Sequence, residues 1–210
     1  MKYTREQIQN TVEGKGYKYF HDNRNKTYDV NIIGIRNSAT KNRVTNAFDD
    51  TITIAFKVPT LIKDKWDWQY YEFDCTTDPG THWVENLLNP DGVAILKPGQ
   101  YRGSHKIGLH HGKYEALRQQ RPLKVYRDDN EDDTYDCLEE NVKEGIFGIN
   151  IHRATAKTHG KSTRVDKWSA GCQVIAANDD FQKFMEICRE ARNIHGNSFS
   201  YTLIESKDIQ

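Results

Sequence analysis

Apolar residues in this 210-residue chain fall mostly in short alternating or continuous runs, and only two stretches carry them at helical spacing. Residues 28–36 and 51–58 combine β-branched content with alternation and read as strands, separated by a polar loop rich in Asn, Ser, Thr and Asp. Residues 66–76 read as a further strand, closed by turn chemistry at Asp78, Pro79 and Gly80, where Pro presets φ and Gly admits positive values. Short extended segments are expected over 93–96, 100–107 and 123–126, with buried strands over 145–152 and 172–176 and a closing strand through Phe199, Tyr201 and Leu203. Residues 113–119 read as a helical turn ending before Arg121 and Pro122, because a residue preceding proline disfavours the α region.

The two helical stretches differ in strength. Thr4 and Gln7 have capping-box spacing, and Ile8 and Val12 stand four apart, which predicts a short helix over 4–13. Asn178 is placed to cap a longer helix whose Phe181, Phe184, Met185, Cys188 and Ala191 share one face, so Cys188 is expected in the core. Many strands, few helices and frequent Pro-Gly turns point to a mainly β fold, a sandwich or barrel with a few peripheral helices. Residues 1–60 are expected to extend that domain or form a small lobe, and 61–210 to hold its main body.

Charge narrows the classes. Thirty basic and thirty acidic side chains cancel, and no Lys/Arg block forms a basic arm, so nucleic acid is not an expected partner. No apolar run approaches the roughly 18 residues of a membrane span, and the polar start MKYTREQIQN does not read as a secretory signal, so synthesis in the cytoplasm is expected. Cys75, Cys137, Cys172 and Cys188 form no CxxC pair, which argues against a zinc ribbon or a dense disulfide framework.

One region carries candidate chemistry. A nucleophilic cysteine needs a base, a group that holds the base, and donors at the developing oxyanion. His152 ends an apolar strand, and twenty residues later come Trp168, Ser169, Ala170, Gly171 and Cys172, followed by the apolar Val174, Ile175 and Ala176. Gly171 admits a tight turn and close backbone approach beside the thiol.

This arrangement resembles L,D-transpeptidases of the YkuD type, whose signature is His, a loop, then Ser/Thr-His-Gly-Cys. Thr76 to Gly80 and Lys97 to Tyr101 look like that family's earlier landmarks, so the likeness spans about residues 70–177. The resemblance implies a β-sandwich or barrel with Cys172 as nucleophile and His152 as general base. It further implies that the Arg153 carbonyl orients the imidazole, that Ser169 braces the turn, and that the Gly171 and Cys172 N–H groups serve the oxyanion. Tyr101, Arg164 and Trp168 are the expected substrate contacts; Lys167 is a further basic neighbour, and His82 and Trp83 are candidates for the groove wall. Two departures stand out: Ala170 occupies the place of the motif's second histidine, and Val174 that of a usual asparagine. The implied activity is acyl transfer or hydrolysis on peptidoglycan stem peptides through a thioester, with no required cofactor. A phage setting, with release at the wall or assembly with other virion proteins, would reconcile that activity with a start lacking an export signal. The alternatives are a non-catalytic virion or wall-binding protein on the same scaffold and an intracellular cysteine peptidase or amidase.

Two further patterns stand apart. Asp128, Asn130, Asp132, Thr134, Asp136 and Glu139 occupy positions 1, 3, 5, 7, 9 and 12 of a calcium-loop spacing, with Asp133 where such loops carry Gly. The reading is a calcium loop or a solvated acidic lid. His105, His110 and His111 lack metal-site spacing and are expected at the surface or facing substrate.

Overall fold

The computed structural model describes residues 2–21, 27–62 and 65–210. Its strands are β1 (Asn31–Arg36), β2 (Asp50–Pro59), β3 (Trp66–Thr76), β4 (Val93–Leu96), β5 (Gly99–His110), β6 (Tyr114–Gln119), β7 (Leu123–Asp128), β8 (Val142–Gly145), β9 (Ile151–Arg153), β10 (Gln173–Ile175) and β11 (Phe199–Glu205). Its helices are α1 (Arg5–Gly14), α2 (Thr81–Glu85) and α3 (Asn178–His195). The fold is mainly β. Eight strands close a barrel in the order β1, β11, β5, β6, β9, β10, β3, β2, and β4, β7 and β8 form a separate antiparallel sheet. Two neighbouring pairs in the barrel, β1 with β11 and β9 with β10, run parallel.

Both faces of the barrel wall are used. Ile32, Ile52 and Ile54 join Phe73, Phe184 and Leu203 in the main core, while Ile33, Ile35 and Ala55 turn outward to meet Ile8 and Val12 of α1. That division follows from the two-residue period of a strand, and it makes β1, buried along its whole length, a stave covered on both sides. The capping box of α1 is present in full. Helix α3 buries Phe181, Phe184, Met185, Ile187, Cys188 and Ala191, with Phe184 edge-on to Phe73 at 6.2 Å. Inside the barrel Gly34 makes room for Tyr201, since a Cβ there would lie 1.9 Å from the tyrosine oxygen.

Three local expectations are corrected. Residues 114–119 are a strand, because His111 and Gly112 take positive φ and fold the chain back so that Tyr114 pairs with His110. The 145–152 run is not one strand: β8 ends at Gly145, β9 begins at Ile151, and the Gln119 side chain takes up the backbone between them. Asn178 does not cap α3. The N-cap is Ala177, and the Asn178 Oδ1 instead accepts from Arg153 Nη1 at 3.0 Å. Among the described residues no helix is long and apolar enough to cross a membrane.

Candidate active site

Parallel pairing of β9 and β10 brings His152 and Cys172 to the same cavity. His152 is in register with Val174, and the Gln173 N–H donates to the Asn150 carbonyl at 2.9 Å, so Cys172 lies beside Asn150 at the strand starts. The Asn150 N–H points at the Cys172 Sγ from 3.5 Å, and the thiol donates to the Gly148 carbonyl at 3.4 Å. Cys172 and His152 both line a cavity of about 880 Å3. Among the described residues no direct hydrogen bond joins Sγ to the His152 ring, so a proton moving between them passes through a water or follows a side-chain rotation.

The turn before the thiol is braced from behind. Ser169 is fully buried; its hydroxyl donates to the Cys172 carbonyl at 2.8 Å and accepts the Gly171 N–H at 3.1 Å. Gly171 has φ of +125°, and a Cβ there would lie 2.2 Å from the Ala94 carbonyl oxygen, so glycine is demanded twice over. Gln173 Nε2 reaches the Gly171 and Thr77 carbonyls at 3.3 and 3.4 Å, while its Oε1 accepts from the buried Tyr201 hydroxyl at 2.7 Å. The Gly171 N–H is thereby engaged, which removes it from the expected oxyanion pair. The Cys172 N–H has no partner among the described residues and is left as a donor.

His152 is held in one tautomer. Its Nδ1 lies 3.0 Å from the Arg153 carbonyl, which can only accept, so Nδ1 carries the proton and Nε2 keeps the lone pair. Burial pushes its pKa down to about 4, against the pull of that carbonyl, with His111 lowering it further. Burial also pushes the Cys172 thiol up to about 11, partly countered by the Asn150 N–H. Cys172 nevertheless keeps some exposure at the cavity floor, unlike the wholly buried Cys75 and Cys188. The resting pair is therefore a thiol and a neutral imidazole.

Gln119 escaped the sequence reading, and His110, expected at the surface or facing substrate, is a buried residue of the cavity wall. His110 at the end of β5 stacks on His152 with centroids 4.3 Å apart and planes at 22°. Its Nδ1 is 3.3 Å from Asn150 Nδ2, and burial, then His152, push its pKa to about 3. Gln119 accepts the Phe147, Gly148 and Ile149 N–H groups on one oxygen, at 3.0, 2.8 and 3.0 Å, and donates to the Arg121 and Gly145 carbonyls. It therefore shapes the loop whose Gly148 carbonyl receives the thiol. His105, expected near the surface or substrate, is buried and bonds the Ile149 carbonyl at 3.0 Å.

The cavity wall is basic and aromatic. Lys113, Arg153 and Lys167 line it with Trp83, Phe147 and Trp168, and among the described residues no Asp or Glu does. Arg153 lies 4.2 Å over the Tyr114 ring. Of the expected substrate contacts, Trp168 lines the cavity but Tyr101 and Arg164 do not. The Tyr101 hydroxyl donates to the Lys97 carbonyl at 2.6 Å, and Arg164 is an exposed partner of Asp166. His82 also stands outside it, edge-on to Trp83. No protein-family model matches the chain, and no curated protein or solved structure matches it.

Proposed function

We propose that this protein is a cysteine acyl-transfer enzyme acting on peptidoglycan stem peptides, similar in mechanism to L,D-transpeptidases. The observation that carries the reading is the His152 Nδ1 contact with the Arg153 carbonyl, which leaves Nε2 as a base on the same cavity as the Cys172 thiol. In this mechanism Nε2 takes the thiol proton as Sγ attacks a peptide carbonyl, and the Cys172 N–H stabilises the oxyanion. The imidazolium returns that proton to the departing amine of the terminal D-amino acid, leaving a thioester on Cys172. An amine acceptor then forms a cross-link, or water releases the shortened peptide. The wholly basic charge of the cavity suits a substrate that bears carboxylates.

Proton transfer between the resting groups is uphill, since a thiol near 11 must give its proton to an imidazole near 4. The mechanism therefore relies on the bound acyl group to stabilise charge as it forms, rather than on a standing thiolate. Incubation with muropeptides and mass analysis of the products tests this. The wild type is expected to remove the terminal D-residue or exchange it, and Cys172→Ala to leave the substrate intact; identical products from both proteins would refute catalysis. Ala170, in place of the motif's second histidine, favours a second reading, a wall-binding protein that performs no turnover. On that reading, sedimentation with peptidoglycan is retained equally by both proteins while no muropeptide changes mass.

A further inference from the structure

The end of β7, where the acidic loop begins, holds a buried carboxylate left without a partner among the described residues. Asp128 is 3% exposed, and neither of its carboxylate oxygens has a hydrogen-bond partner. A buried carboxylate in that state is costly. The Asp132 and Asp136 carboxylates add like charge nearby, and the Asp136 and Asn130 N–H groups lie close without completing a hydrogen bond. Asp132 and Asp136 each send one carboxylate oxygen to the same atom, Asn130 Nδ2, at 3.1 Å, so negative oxygens converge on one point. The Thr134 carbonyl takes no hydrogen bond in its bridge to Arg43, whose bonds run through Asp133 and Tyr135 instead. Glu139, at position 12 of the spacing, is committed to Lys97.

We propose that residues 128–136 bind one calcium ion through the Asp128, Asp132 and Asp136 carboxylates, the Asn130 side-chain oxygen and the Thr134 carbonyl. Three carboxylates more than neutralise the divalent ion and leave one net negative charge. Five protein oxygens on a loop, supplemented by water, suit the six to eight ligands of calcium better than the strict octahedron of magnesium. As the loop stands, no three His, Cys, Asp or Glu side chains are gathered for a metal among the described residues. Binding therefore includes rotation of the Asn130 amide, whose nitrogen now sits between the two carboxylates, so that its oxygen faces the ion. The loop is tied to the segment behind the thiol turn: the Tyr135 hydroxyl donates to the Pro79 carbonyl at 2.6 Å, and the next residue, Gly80, donates to the Ser169 carbonyl at 2.8 Å. This site is independent of the chemistry assigned to Cys172.

The test is calorimetric titration of the full EDTA-treated chain with calcium chloride, alongside thermal melts. The expected result is one ion per chain with Kd in the roughly micromolar to millimolar range. At calcium a hundredfold above Kd the melting temperature should rise by about 5–10 °C, with a smaller rise in equal magnesium. Asp128→Asn and Asp132→Asn should each weaken binding at least about tenfold, and in EDTA Asp128→Asn should melt no lower than wild type, because like charge has been removed. No binding heat and no melting shift up to about 10 mM calcium would overturn the proposal. Undiminished binding by Asp132→Asn would overturn it as well, and that exposed position answers the question even if Asp128→Asn fails to fold.

Discussion

At the residue scale the molecule poses a chemical contrast, a thiol held protonated beside an imidazole held neutral. Alkylation of Cys172 by iodoacetamide should accordingly rise about tenfold per pH unit from neutrality towards its pKa of about 11. A plateau already reached below pH 8 would indicate a standing thiolate. Because its Nδ1 contact and burial hold His152 neutral down to about 4, its ring carbon shifts should stay constant from pH 8 to 5. A midpoint near 6.5 in a two-dimensional NMR titration would contradict that. The sign for stability follows: the unfolded imidazole binds a proton below about 6.5 and the folded one only below about 4, so this group's contribution is full above 6.5 and fades as pH falls through that window. Gly171→Ala is expected to cost about 1–3 kcal/mol from backbone strain alone, and more from the clash with Ala94, read by urea denaturation.

At the element scale the site depends on a short parallel pair and one glutamine. That His152 lies on a strand and that Cys172 follows a tight glycine turn was legible in the sequence, because both are local features. Their partners were not legible. Gln119 lies at the end of β6, and its value arises only when the hairpin with β5 carries it to residues 145–149. The same hairpin was misread as helical because Glu115, Ala116, Leu117, Arg118 and Gln119 are good helix formers; pairing with His105 to His110 overrides that preference. His110 was expected at the surface or facing substrate, and nothing in its spacing signals the stack on His152. Gln119→Ala should leave three N–H groups without an acceptor, at about 1–3 kcal/mol for each that stays buried. Hydrogen exchange at 147–149 should quicken while the α3 amides keep their protection; unchanged exchange at 147–149 would remove Gln119 from its clamping role.

At the scale of the whole molecule the mainly β character was readable from alternation and turn chemistry, and the face of α3 from its apolar spacing. Closure into a barrel was not, because it depends on β11 pairing with both β1 and β5, segments far apart in the chain. The first 60 residues supply β1 and β2, two staves of the same barrel as β9 and β10. Phe184, buried between α3 and Phe73, should therefore report on the barrel as a unit: Phe184→Ala is expected to cost about 3–5 kcal/mol in a single cooperative transition. Separate melting of the N-terminal segment would contradict that unity.

The central claim concerns Cys172, and the most direct measurement is the intact mass of the protein after brief exposure to a tetrapeptide stem muropeptide and acid quench. The account predicts a single adduct equal in mass to the muropeptide less its free terminal D-amino acid, mapped to Cys172, absent in Cys172→Ala and depleted at least about a hundredfold in His152→Ala. Full accumulation of the adduct in His152→Ala would contradict the pairing of base and nucleophile. No adduct on any cysteine, together with unchanged muropeptide, would contradict the catalytic account itself.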